Sequence, residues 1–116
     1  MRGTRKRTAI LISGRGSNME ALLAAARAPD YPAEAVLVLS NRAEAPGLEI
    51  ARARGVEAVA VSHRGFPSRE AFDRAVSAEL EARGVEIVCL AGFMRVVSPW
   101  FCARWLGRLI SIHPAL

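Results

Sequence analysis

The sequence predicts an α/β fold, a doubly wound and mostly parallel sheet with helices on both faces. Two observations carry the prediction. Strand-length apolar runs alternate with helical patterns from Ala9 onward. These runs are continuously apolar, the pattern of strands buried on both faces and joined by right-handed crossovers. At 116 residues the chain amounts to one domain at most, with enough length to bury a core. In open sheets of this kind, ligands bind beyond the carboxyl ends of the strands, where strand order reverses.

The first strand, Ala9-Ile10-Leu11-Ile12-Ser13, runs through Gly14-Arg15-Gly16-Ser17-Asn18 into a helix. Met19, Leu22, Leu23 and Ala26 recur at i, i+3, i+4 and i+7, one helical face. Ser17 followed by Glu20 fits a capping box, which starts that helix at about Ser17. Ala35–Ser40 is the second strand. Pro46-Gly47 opens a short helix carrying Leu48 and Ala51, and Gly55 closes it. Val56–Val61 is the third strand. Ser68 caps a helix whose buried face is Phe72, Ala75, Val76 and Leu80, with Gly84 at its end. Val85–Ala91 is the fourth strand and the most apolar; Gly92–Val97 is a loop. Ser98-Pro99 starts a helix reaching about Trp105, and Leu109–Ile112 is the fifth strand, running into His113-Pro114. With strand order 3-2-1-4-5, the fifth strand is an apolar edge after which the sheet looks truncated. Such an edge recruits a partner strand, so self-association is expected.

The net charge of +5 rests on arginine, with Lys6 the single lysine. Arg2, Arg5, Lys6 and Arg7 cluster ahead of the first strand, and residues 1–8 are expected to be a disordered basic leader before a domain spanning 9–116. No aromatic residue is interleaved with those charges, so a nucleic-acid reading rests on charge alone. No apolar run approaches the ~20 residues of a membrane span. Cys89 and Cys102 have neither metal-ligand nor disulfide spacing, which fits a reducing cytoplasm.

The glycine loop points the free backbone N–H groups of Gly16, Ser17 and Asn18 out of a helix N-terminus, an arrangement suited to a phosphate or carboxylate. An ordinary capped helix reads the same way. The loop lacks Gly-Lys-Ser/Thr and the third glycine of a dinucleotide fingerprint, and Ser40-Asn41-Arg42 stands where that fingerprint needs an acid. A single phosphate monoester is the expected ligand. His113, at a strand's carboxyl end, is a candidate for proton transfer or a cap of the strand end. His63 is expected to be solvated, and the two histidines make no metal site. Gly92–Val97 is almost wholly apolar, fit either to wall a flat heteroaromatic ligand or to pack beneath the next helix. Arg69 either pairs with a ligand carboxylate or is solvated.

Ile12–Asn18, Ser40-Asn41-Arg42, Ser68–Asp73, Leu90–Arg95 and Ile112-His113-Pro114 occur in one order over nearly the whole chain. Together they resemble the glycinamide ribonucleotide formyltransferases of purine synthesis. The resemblance implies a Rossmann-like formyltransferase fold and transfer of a formyl group from the cosubstrate 10-formyltetrahydrofolate to the amine of glycinamide ribonucleotide. It implies that Gly16, Ser17 and Asn18 hold the substrate phosphate. Met94, Arg95, Val96 and Val97 would line the pterin pocket, Arg69 would meet the folate tail, and His113 would be catalytic. Ser111 stands where that family has Asn, and the family continues past Leu116 to supply the partner aspartate of its histidine. A non-catalytic phosphate-binding chain and another enzyme using the same folate are the alternatives.

Overall fold

Charged residues tolerate the end of a strand when their side chains leave the sheet while the backbone stays paired, and the chain begins this way. In the computed structural model, which describes residues 5–95 and 97–112, strand β1 spans Lys6–Ile12. Lys6 N–H donates to the Pro32 carbonyl, and the Arg7 carbonyl accepts from Glu86 N–H. Residues 6–8 therefore belong to the sheet, not to the expected leader. Helix α1 (Ser17–Ala26) starts where expected, but its N-cap is Gly16 at φ 73°, with no side-chain cap bond. The capping box does not form: Glu20 instead pairs with Arg54 at 3.2 Å.

The remaining elements are β2 (Ala33–Ser40), α2 (Pro46–Ala53), β3 (Ala58–Ala60), α3 (Arg69–Ala82), β4 (Ile87–Ala91), α4 (Pro99–Arg104) and β5 (Leu109–Ile112). Ser68 and Ser98 cap α3 and α4 through their hydroxyls, accepting from Ala71 and Phe101 N–H. β3 and β4 begin two residues later than the apolar runs. Val56 N–H is engaged by the Ala51 carbonyl and Val85 N–H by that of Leu80. These bonds close the two preceding helices through Gly55 and Gly84, both at positive φ.

The sheet is parallel throughout, in the order β3-β2-β1-β4-β5. One face buries Leu11, Leu39, Phe72, Val76, Phe101 and Trp105, with α3 and α4 against it. The other buries Ile10, Ile12, Met19, Leu23 and Leu48 beneath α1 and α2. This two-sided cover is the reason the strands read as unbroken apolar runs. Beyond α1, the second face stays open over β1, β4 and β5. A groove of about 310 Å³ lies there, lined by Ile10, Ile87, Cys89, Ile110 and Ile112 among others. Strand order reverses between β1 and β4, so the crevice of the fold opens at their carboxyl ends.

Candidate active site

That crevice holds a cavity of about 350 Å³ lined by Gly14, Arg15, Gly16, Ser17 and Asn18 from one side and by Ala91, Gly92 and Met94 from the other. Gly16 reverses the chain in the left-handed region, so α1 starts abruptly and its carbonyl accepts from Glu20 N–H at 2.9 Å. The backbone N–H groups of Ser17 and Asn18, in the first turn, have no intrahelical acceptor. Both residues line the cavity, at the end of the helix that carries its partial positive charge, an arrangement that favours an anion.

Two features absent from the sequence reading hold this loop. Gly47 N–H donates to the Gly14 carbonyl at 3.1 Å, and a β-carbon on Gly47 would meet Ile12, Gly14 and Arg15 at 3.0 Å or less. Pro46-Gly47 announced a helix start; that the glycine serves as a seat for the loop has no local signal. Ser13 joins three elements: its buried hydroxyl accepts from Met94 N–H at 2.7 Å and donates to Asn41 Oδ1 at 2.6 Å. The ends of β1 and β2 and the loop after β4 are thus tied through one oxygen.

Of the other residues singled out, Met94 is 81% exposed, and Phe93 and Val97 pack against the core. Arg95 is half-buried, its guanidinium carbon 5.2 Å above the Phe72 ring and its Nε buried without a partner. Arg69 is exposed in the first turn of α3. Ser111, exposed in β5 opposite Leu90, does not line the cavity, and neither does Arg69. Val96 and His113 lie outside the described residues. His63 is not the solvated side chain expected: it is half-buried, edge-on to Phe72 at 6.4 Å, with Nδ1 out of solvent. Asp73 was also missed. Buried on α3, it accepts Ser98 N–H at 2.6 Å and ties α3 to the start of α4.

The charge is unevenly used. Arg5, Arg7, Arg52, Arg54, Arg74, Arg83, Arg104 and Arg108 all donate to carbonyls or carboxylates. Among the described residues, Arg15, Arg27, Arg64, Arg69 and Arg95 have neither a carboxylate within 4.0 Å nor a side-chain hydrogen bond to a carbonyl; Arg27 lies at the far end of α1, and the other four at the carboxyl edge of the sheet. Cations left unpaired beside a crevice favour anionic ligands. Among the described residues no group of His, Cys, Asp or Glu is arranged to hold a metal ion, and no helix is long and apolar enough to cross a membrane. Burial pushes the Cys89 thiol up, while Cys102 is exposed.

The formyl transferase family matches residues 6–116. The chain is 51% identical over 114 residues to the trifunctional purine biosynthetic protein adenosine-3 of Drosophila pseudoobscura pseudoobscura, covering 97% of this chain and 8% of that protein. It is 42% identical over 107 residues to the phosphoribosylglycinamide formyltransferase of Escherichia coli K12, covering 92% of this chain and 50% of that one. The crystal structure of phosphoribosylglycinamide formyltransferase from Brucella melitensis superposes with a TM-score of 0.92 at 48% identity, over 97% of this chain and 59% of that one. The chain thus spans about half the length of the bacterial relatives it matches.

Proposed function

The chain belongs to the formyl transferase family, and on that premise we propose that it carries the phosphate-binding half of a glycinamide ribonucleotide formyltransferase. The backbone N–H groups of Gly16, Ser17 and Asn18 bind the substrate phosphate, with the Ser17 hydroxyl and Asn18 amide adding donors. The carrying observation is the cavity that joins this loop to Gly92 and Met94 at the reversal of strand order. It lets one site hold a phosphate at one end and a second, flatter ligand at the other.

The residues after β4 fit 10-formyltetrahydrofolate: an exposed Met94 offers apolar surface, and the buried, unpartnered Nε of Arg95 is a donor awaiting an acceptor. When bound, the folate supplies the formyl group. Met94, Val96 and Val97 would supply its apolar contacts, while Arg95 and Arg69 would meet its polar and carboxylate groups. His113 would take the proton released as the substrate amine attacks the formyl carbon and return it to the folate nitrogen as the formyl carbon–nitrogen bond to the folate breaks, and Ser111 would offer a hydroxyl to the oxygen on which charge develops. A chain that binds the phosphate without turnover is the second reading. Ser111 favours it, since a serine hydroxyl reaches less far from the backbone than an asparagine amide.

Calorimetric titration with glycinamide ribonucleotide, against the same compound lacking phosphate, tests the site. Asn18→Ala and Gly16→Val should weaken binding by about 1–3 kcal/mol, the scale of lost buried hydrogen bonds. Equal affinity for the two compounds would refute the phosphate assignment. A formyl-transfer assay on the chain and on Ser111→Asn bears on the second reading: turnover in either supports the enzyme and overturns it.

A further inference from the structure

The two walls of the active-site cavity come from different parts of the chain, and one side chain behind them joins both. The β1–β4 register ends at Leu11 and Leu90. Past that point one strand runs into the glycine loop, residues 14–18, and the other into the loop carrying Gly92 and Met94. Ser13 stands at the root of the glycine loop, 3% exposed, and is not among the residues lining the cavity. Its hydroxyl meets Met94 N–H at 2.7 Å and Asn41 Oδ1 at 2.6 Å. An amide N–H can only donate, so the hydroxyl oxygen accepts from Met94 and its own proton goes to Asn41.

Each bond of this chain strengthens the other, because a hydroxyl that donates is polarised into a better acceptor. Asn41 is itself only 4% exposed, so the loss of either partner leaves a buried polar group unsatisfied. The glycine loop has little freedom to absorb a displacement at its root. Gly47 N–H holds the Gly14 carbonyl at 3.1 Å, and the Gly16 carbonyl accepts from Glu20 N–H at 2.9 Å. On the opposite wall the Met94 side chain is 81% exposed, and its backbone N–H is anchored by Ser13. Whatever orders the glycine loop therefore also orders the loop after β4, through one oxygen.

We propose that Ser13 is a positioning residue that couples the two halves of the site: phosphate on the glycine loop raises the affinity of the opposite wall for folate, and folate does the same for phosphate. The inference rests on the phosphate and folate readings above. A phosphate held by Gly16, Ser17 and Asn18 orders the loop that Ser13 begins, and with it the Met94 amide. The folate then meets a wall already ordered and binds more tightly. Coupling between two binding equilibria is reciprocal, so the two enhancements are equal. Ser13 does not line the cavity, so its effect falls on the enhancement and not on the contacts of either ligand alone.

The experiment is a ¹H–¹⁵N NMR titration of the chain with monoglutamyl folate, with and without saturating inorganic phosphate, and then in the reverse order. Hydrogen exchange at Met94 N–H follows the route of the coupling. In the wild-type chain each ligand should tighten the other about fivefold, and phosphate alone should slow exchange at Met94. In Ser13→Ala each ligand should still bind singly, while the enhancement falls to about one and Met94 exchange no longer responds to phosphate. Ser13→Thr, which keeps a hydroxyl, should restore both. A wild-type enhancement of about one, or an enhancement left intact in Ser13→Ala, overturns the proposal. A merely structural Ser13 would lower both single affinities and leave the enhancement unchanged. If Ser13→Ala loses its dispersed amide spectrum, Asn41→Ala decides: it removes the acceptor of the hydroxyl proton, and an unchanged enhancement there overturns the proposal. The underlying readings fail at other signals, as Ser17 and Asn18 amides unmoved by phosphate or Met94 and Val97 amides unmoved by folate. Either absence overturns that reading and the proposal with it, whereas both sets of shifts without enhancement overturn the proposal alone.

Discussion

A β-carbon built on Gly47 would lie 2.4 Å from Ile12 Cδ1, 2.8 Å from the Arg15 carbonyl oxygen and 3.0 Å from that of Gly14. Two of those three neighbours are backbone, which cannot swing aside, so Gly47→Ala must push the glycine loop out of place. We expect a loss of about 1–3 kcal/mol in urea denaturation, the usual scale of overpacking, together with weakened phosphate binding. Gly14→Ala is the control, with nothing within 4 Å of the added carbon and no positive φ; it should change stability by less than about 0.5 kcal/mol. Equal stability of the two variants would contradict the role given to Gly47. Ser13→Ala should cost about 1–3 kcal/mol, because it strips buried partners from both Asn41 and Met94. Both residues lie in segments the sequence marks as functional. Their junction joins positions 28 and 81 residues away from Ser13, a span no local pattern reports.

At the scale of elements, the starts of helices were the most legible feature. Ser68, Ser98 and Pro99 act within one turn of themselves, and each does so as the pattern predicts. The anchoring of α3 was not legible. Its C-cap, Arg83, donates to Glu57 just before β3 and to Glu79 one turn back. The Arg83 hydrogen bond holds the Glu57 carboxyl below its ordinary 4.5, while its positive charge is stabilised in return. A carboxylate with a lowered folded pKa binds fewer protons folded than unfolded. Its contribution is therefore present above pH 4.5 and is lost as pH falls through the lowered value. The stability gap between the chain and Arg83→Met should accordingly narrow between about pH 6 and about pH 3. Thermal melts across that range check it, and a gap independent of pH would remove Glu57 from the account.

For the whole molecule, the open face over β1, β4 and β5 governs solution behaviour. Among the described residues β5 is the edge of the sheet, with Ile110 49% exposed beside the apolar groove. An apolar edge beside an uncovered apolar face favours a second chain over water. We predict that the 116-residue chain self-associates in light scattering, and that Ile110→Glu shifts it toward monomer. A wild-type chain that stays monomeric at high concentration would defeat the prediction. The thiols give a second readout: Cys102 should react rapidly with a thiol reagent, and Cys89, buried with its thiol pushed up, only slowly.

By itself the sequence determined the order and type of the elements, the parallel sheet, the strand order and the position of the glycine loop at the start of α1. Element types and turns follow from periodicity and turn chemistry over a turn or two of chain, and the strand order follows from the crossover rules of the fold class they define. It misjudged the cap of α1, the start of β1 and the environment of His63, where long-range pairing outweighs local preference: Gly16 takes the cap, the backbone of Lys6 and Arg7 joins the sheet, and Phe72 shelters the imidazole. Only the tertiary structure decided that Gly47 seats the loop, that Ser13 joins Asn41 to Met94, and that Arg95 and His63 share one ring. Those contacts form where crossovers bring strand ends side by side. The distances that matter there are set by packing the sheet's two faces, not by spacing along the chain.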